Sequence, residues 1–420
     1  MRCPRQAMSG TWCTGATMTL GDLSRARQLA IAVTLLAILA VTLFPSGDEK
    51  LEPMLRCLVC GERGVADVII NVILFVPFGA ALSVAGTRLL RVCLVGALFS
   101  GAIELAQLFV PGRDSSLSDV LSNTTGAAVG YALARYTPRI VGFPTGAATL
   151  ASAGAATLPA LVIAATGLLL RPALPHSIYY GQWTPNLGHL EWYRGYVLAA
   201  RLGTVELPPR RLTNSDTERA LLLAGAPLRV AATAGPEVPA LASLVSVYDE
   251  YQREIFLLGP DRHDLVVRYR TRATAWRLDQ PDLRISDALT PIRSGDTLTI
   301  TLWRQAAGYC VLLNDVRTCR LNFSAGHGWA MLLYPESFPA WLRWLLNAGW
   351  LGGLLLPVGY CARSRRVLWI GGALLVSLGV MPPLVGLLPT SLAEWLGGLT
   401  GAAVGTRLRA LATAARAAPR

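Results

Sequence analysis

The chain is short of charge and almost without lysine. Charged residues make up 15% of its 420 positions against 53% hydrophobic ones, and Lys50 is the only lysine. A soluble protein of this length needs more polar surface to cover its core, so a wholly soluble class is excluded. The net charge of +12 is therefore almost wholly arginine. Those arginines sit in short clusters between apolar runs, not along one continuous basic face, which argues against a nucleic-acid partner. Histidine is scarce too. His176, His189, His263 and His327 all lie in one polar stretch and show no metal-ligand spacing. Eight cysteines are too scattered for a dense disulfide framework. Cys3 and Cys13 lie in a polar tail, Cys93 and Cys361 at helix ends. Cys57 and Cys60 form a C-x-x-C without a second such pair or a thioredoxin-like pattern, so a local disulfide or two thiols is expected there. No metal and no cofactor is expected.

What the chain does have is long apolar runs. A membrane helix needs about 20 mostly apolar residues. Eight runs qualify as candidates: 28–44, 66–86, 90–110, 117–134, 148–170, 340–360, 367–387 and 391–408. The run at 28–44 starts too far into the chain for a signal peptide and is read as an uncleaved span. The fold class expected is thus a polytopic α-helical membrane protein of about eight spans with an inserted all-β sandwich. Its divisions are a tail at 1–27, a five-helix bundle at 28–170, the inserted domain at 171–338, a three-helix bundle at 339–410 and a tail at 411–420. Arginine placement orients it. Arg2, Arg5, Arg25 and Arg27, then Arg88 and Arg91, Arg135 and Arg139, Arg363, Arg365 and Arg366, and finally Arg407, Arg409, Arg416 and Arg420 all fall on one side if the eight spans hold. Both termini are then cytoplasmic and residues 171–338 extracytoplasmic.

The insert alternates apolar and polar residues at 266–272 and 297–303, with further strand candidates at 244–248 and 254–258. Residues 309–313 and 316–319, joined by Asn314 and Asp315, read as a hairpin. Cys310 and Cys319 flank it, as a disulfide in an oxidising compartment or as two buried thiols. Asp249, Asp261 and Asp264 are a weak calcium candidate; scattered turn acids are the commoner explanation. Trp341, Trp344 and Trp350 read as an interfacial belt and helix packing.

Polar groups within membrane helices are costly, so each needs a reason. Asp67 and Asn71 lie at i and i+4, Glu104 and Gln107 at i and i+3, and Asp119 and Asn123 at i and i+4. By the expected topology these side chains, with Arg113, share the outer half of the membrane and would converge. One reading is a site open to the outer leaflet, with Glu104 and Asp119 as acid and base or as cation ligands, and Arg113 holding an anionic head group. The other is a hydrogen-bond network that fixes the bundle, with Asp119 capping its helix. There is also an internal echo. Ser116-Leu117-Ser118-Asp119 and Gly126-Ala127-Ala128-Val129-Gly130 reappear as Ser391-Leu392-Ala393-Glu394 and Gly401-Ala402-Ala403-Val404-Gly405. It is either a degenerate copy or the small-residue pattern that suits close helix packing.

Glu104-x-x-Gln107, then Pro111, Gly112 and Arg113, then Asp119, Asn123 and Gly126 together resemble the signature of VanZ-like membrane proteins. Cys57, Cys60 and Gly61, Asp67 and Asn71, and Phe75, Pro77 and Gly79 fit the same family, over roughly residues 28–135. The resemblance implies a bacterial cell-envelope protein of the inner membrane, and the family's founding member is linked to low-level teicoplanin resistance. Residues 240–335 resemble a concanavalin-like or laminin-G-like sandwich by strand rhythm, a fold analogy only. Three functions follow as expectations. The first is a binder: a sandwich that takes a glycan, peptidoglycan or another envelope polymer, and a bundle whose Asp67, Asn71, Glu104, Gln107, Arg113, Asp119 and Asn123 engage a lipid-linked or anionic envelope component. The alternative is an integral membrane enzyme on such a substrate, with Glu104 and Asp119 as acid and base. A transporter ranks last, because the polar groups stay near one face.

Overall fold

The computed structural model describes residues 20–43, 61, 63–110, 115–187, 190–305, 308–333, 338–363 and 365–417. The chain divides into two compact units, Met1–Cys57 with Asn71–Tyr136, and Leu58–Ile70 with Thr137–Arg420.

The first unit is helical. It holds α1 (Leu20–Thr42), α2 (Gly64–Val84) from Asn71 onward, α3 (Leu89–Gln107) and α4 (Leu117–Ile140) up to Tyr136. Pro77 sits inside α2, where it lacks the N–H that would bond one turn back. Ile38, Phe75, Phe78 and Ile103 form its apolar core. Phe99 joins Phe75 and Phe78 with ring centroids 5.9 and 5.6 Å away. Such aromatic contacts contribute about 0.5–1.5 kcal/mol each beyond their area.

The second unit carries α5 (Thr145–Leu169), the β region, α7 (Ala340–Cys361), α8 (Arg366–Leu374), a π-helical stretch (Leu375–Val380) running into α9 (Met381–Leu384), and α10 (Leu392–Ala417). Among the described residues the β region has eleven strands in two antiparallel sheets. One sheet orders β1 (Tyr179–Trp183), β5 (Val245–Asp249), β6 (Glu254–Asp261), β7 (Asp264–Tyr269) and β8 (Leu283–Ile285). The other orders β11 (Val316–Leu321), β10 (Gly308–Leu313), β9 (Thr297–Gln305), β4 (Leu228–Thr233), β2 (Tyr196–Leu202) and β3 (Val205–Glu206). Val247, Ile255 and Val267 of one sheet share a core with Val230, Ile300 and Val311 of the other. Along β9 the alternation is visible directly, with Leu298, Ile300 and Leu302 inward.

The strands expected at 244–248, 254–258, 266–272 and 297–303 are β5, β6, β7 and β9, and the hairpin is β10–β11, turning at Asn314 with φ 49°. Cys310 and Cys319 are joined by a disulfide. One helix in this region was not expected. α6 (Ser215–Ala224) starts at Asn214, whose side chain accepts from Thr217 N–H at 3.2 Å, and ends at Gly225 in the left-handed region. Both are ordinary helix punctuation.

The expectation of about eight spans needs correction on the test of length and composition. Among the described residues four helices are long and apolar enough to cross a membrane: Gly64–Val84, Leu89–Gln107, Thr145–Leu169 and Arg366–Leu384. Arg27–Thr42 is apolar but shorter. The other three contain groups that lower their hydropathy: Asp119, Asn123 and Arg135 in α4, Arg343 and Asn347 in α7, Glu394, Arg407 and Arg409 in α10. The helix expected to close the first bundle also belongs elsewhere. α5 packs against α7, where Ser152 Oγ donates to the Cys361 carbonyl at 2.9 Å.

Candidate functional site

Within the first unit, α2, α3 and α4 bring their polar side chains together. α4 lies against α2 at backbone contact, because Gly126 and Gly130 leave no Cβ in the way. A Cβ at Gly126 would stand 2.2 Å from the Val72 carbonyl oxygen, and one at Gly130 would stand 2.0 Å from that of Val76. That closeness lets short polar side chains reach one another. Asn71 Nδ2 on α2 donates to Asp119 Oδ1 on α4 at 2.8 Å. Asn123 Nδ2, one turn further along α4, donates to Ser100 Oγ on α3 at 2.8 Å. Glu104 Oε2 accepts the Ser116 backbone N–H at 2.8 Å, so a carboxylate on α3 holds the start of α4. Gln107 Nε2 donates to the Thr42 carbonyl at the end of α1, 2.9 Å away. Ser100 is 0% exposed, Asn123 2%, and Glu104 and Gln107 7% each.

The convergence expected from spacing is therefore met by Asn71, Glu104, Gln107, Asp119 and Asn123. Asp67 differs. It stays exposed, and its turn of α2 clusters with the second unit, where Ala66 N–H donates to the Arg277 carbonyl at 3.3 Å and Arg63 pairs with Asp279 at 2.8 Å. The i,i+4 rule put Asp67 beside Asn71 on one face, but a residue in a helix's first turn is placed by whatever holds that end. Arg113, Cys57 and Cys60 lie outside the described residues, as does His189. Ser100 is the member that sequence reading passed over. It precedes Glu104 by one helical turn, which was the available signal.

Two acceptors in this network have no partner. Asn123 Oδ1 and Gln107 Oε1 are buried without a hydrogen bond. A buried amide oxygen left unpaired costs about 1–3 kcal/mol, and few such groups survive in a folded protein without a reason. Like the Glu104 and Asp119 carboxylates, both are acceptors, chemically suited to hydroxyl, amide or ammonium donors. In the β region Asp261 and Asp264 both pair with Arg284, and Asp249 with Arg253, so arginines occupy the acids that a calcium ion would need.

The family model described as VanZ/LLP1 matches residues 30–140, so this segment is a VanZ-like domain. It contains the whole polar network. No curated protein and no solved structure matches the chain.

Proposed function

We propose that this chain is a VanZ-like protein of the bacterial inner membrane whose first bundle engages a lipid-linked or anionic envelope component, with an effect on glycopeptide sensitivity. The observation that carries this reading is the pair of buried, unpaired oxygens, Asn123 Oδ1 and Gln107 Oε1, beside two carboxylates in the family-matched segment. A ligand whose head group presents hydroxyls or amines would satisfy them. Arg113, adjacent in sequence, would meet its anionic group.

The helices that fall short on hydropathy are embedded as well in this reading. Leu117, Leu121, Val129 and Leu133 on α4, and Leu396, Leu399, Leu408 and Leu411 on α10, are all exposed. Their polar residues Asn123, Glu394 and Arg409 are buried instead. A helix that turns leucine outward and polar groups inward suits lipid, although its average hydropathy is low. Placing Arg88, Arg91, Arg363, Arg365 and Arg366 in the cytoplasm puts the β region outside. With eight spans three lie between the Arg88–Arg91 loop and the β region and put the two on opposite sides; the four long apolar helices alone would put them on the same side, so this orientation depends on α4 and α7 being embedded. An oxidising exterior also suits the Cys310–Cys319 disulfide. There the β region would meet glycan or peptidoglycan.

The test is teicoplanin sensitivity of a deletion strain of the source bacterium, complemented by wild type, Glu104→Gln or Asn123→Leu at equal membrane abundance. Wild type rescues and both variants fail by this reading. Full rescue by both variants would remove the site. Co-sedimentation of the full chain with purified peptidoglycan tests the outer domain separately.

A further inference from the structure

The echo between α4 and α10 extends to the helices against which they pack. α2 carries Pro77-x-Gly79, and α7 carries Pro357-x-Gly359. As stated above, Gly126 faces the Val72 carbonyl; its counterpart Gly401 faces the Gly352 carbonyl, 2.0 Å from an added Cβ. Gly130 faces Val76 O at 2.0 Å and Ala80 N at 2.9 Å, while Gly405 faces Leu356 O at 2.1 Å and Tyr360 N at 2.8 Å. In the reverse direction Gly79 faces Ala127 O and Gly359 faces Ala402 O, each at 1.9 Å. The preference of helix interfaces for small residues explains why glycines occur here. It does not explain one register kept at three successive contacts on both members of each pair. Arg63, which precedes α2, and Asp67 within it fall, in that register, at Arg343 and Asn347 of α7. The first helices correspond as well, since α1 touches α3 and α5 touches α8.

Where the register coincides, the side chains part company. Asn71 corresponds to Leu351, which is fully buried. Asn123 corresponds to Gly398, whose missing side chain leaves room that Leu355, Leu374 and Leu378 fill. Asp119 corresponds to Glu394, 1% exposed, and this carboxylate is fully engaged. Its Oε2 accepts the Ser391 N–H at 2.8 Å, closing its own helix start. Its Oε1 accepts the Gly326 N–H at 2.8 Å and the Ser324 hydroxyl. Ser324 and Gly326 belong to the turn with which the β region ends, and His327 Nδ1 fixes that turn by accepting Ser324 N–H at 3.1 Å.

We infer that α5 and α7–α10 are a second copy of α1–α4, laid in the same direction, and that its Glu394 site binds the hydroxyl and backbone N–H of the chain's own Ser324–Gly326 turn. The inserted domain thereby keys into the bundle that carries it. A carboxylate position is kept in both copies; in the second, donors from the same chain occupy it. That the first copy receives its donors from a ligand rests on the function proposed above. The duplication and the socket do not.

The experiment uses the full chain in lipid nanodiscs and in the deletion strain, with wild type, Glu394→Gln, Ser324→Ala and Glu104→Gln. Two readouts are taken: the rate at which trypsin releases the β region, and rescue at equal membrane abundance. Glutamine keeps one acceptor oxygen and sets an amide donor against one of the two backbone N–H groups. Release is expected to quicken about tenfold in Glu394→Gln and several-fold in Ser324→Ala, since hydrogen bonds to a buried charge are among the stronger ones. Ser324→Ala, the milder variant, is expected to rescue, whereas Glu104→Gln keeps wild-type release and does not rescue. Unchanged release in both Glu394→Gln and Ser324→Ala overturns the socket. Loss of rescue by Ser324→Ala at wild-type release overturns its purely internal role. Full rescue by Glu104→Gln removes the proposed function and leaves the socket to be decided by release. Tags after α2, at 85–88, and after α7, at 362–365, are expected on the same side; opposite sides overturn the duplication.

Discussion

The α2–α4 and α7–α10 helix pairs cross at the same glycines, yet one is lined with amides and carboxylates and the other with leucine. Asn71 and Asn123 of the first correspond in register to Leu351 and Gly398 of the second, and Leu374 and Leu378 close the space around Gly398. The second pair shows that the crossing stands without the two asparagines. Buried polar groups add little net stability compared with well-packed apolar ones. Under the proposed function the amides of the first bundle serve a ligand as well as the contacts between its helices.

The largest expected effect breaks both bundles alike. Gly130→Val and Gly405→Val each drive a side chain into a backbone carbonyl, at 2.0 and 2.1 Å from the first added carbon. Overpacking against mobile side chains costs about 1–3 kcal/mol, and backbone yields less. Both variants should lose most folded protein from membranes, measured as detergent-soluble monomer after extraction. If Gly405→Val is tolerated while Gly130→Val is not, the two crossings are not equivalent.

A second set of variants sharpens the contrast by making the first bundle resemble the second. Ser100→Ala leaves Asn123 Nδ2 buried and unpaired, which should cost about 1–3 kcal/mol in thermal unfolding. Asn123→Leu combined with Ser100→Ala removes both partners. Its cost should fall well below the sum of the two single changes, because two apolar surfaces then meet. Rescue should be lost even where stability is regained. A double variant that folds and still rescues would show that Asn123 is not part of the site.

Much of this was legible in the sequence because hydrophobic runs and i,i+4 spacing are local. Each of the eight expected runs falls on a helix, although α1 begins eight residues earlier and α4 and α10 end six and nine residues later than expected, and Glu104, Gln107, Asp119 and Asn123 announce themselves as polar groups in apolar runs. What was not legible depends on partners distant in sequence. Asp67 has the right spacing to Asn71, but its helix turn is held by Arg277 and Asp279, more than two hundred residues away. α5 reads as a fifth member of the first bundle, and its packing against α7 and α8, with the bond from Ser152 to Cys361, assigns it to the second. Hydropathy averages over a whole helix, so it cannot tell Glu394 turned inward from Glu394 facing lipid. Strands β1 to β4 lack strong alternation because β2 and β4 are alanine-rich, and Val197 and Val230 mark their inner faces only once the sheet is known.

The smallest expected effect separates the bundles by pH. His327 sits in the turn that the second bundle holds and has no counterpart in the first. Burial lowers its pKa below the usual 6.5; nearby Glu394 opposes that shift and Arg343 adds to it. Its Nδ1 accepts the Ser324 N–H, which fits a neutral ring. The unfolded chain, by contrast, takes up a proton on this residue as pH falls through about 6.5. Below that value the unfolded state binds more protons, so stability declines with falling pH until the folded-state pKa is passed. Trypsin release of the β region should therefore quicken between pH 7 and pH 5 in wild type. His327→Gln, which retains an acceptor but cannot titrate there, should flatten that dependence while leaving the response of Glu104→Gln and Asn123→Leu like wild type. A pH response that survives His327→Gln would place the titrating group elsewhere and leave the two bundles alike in this respect.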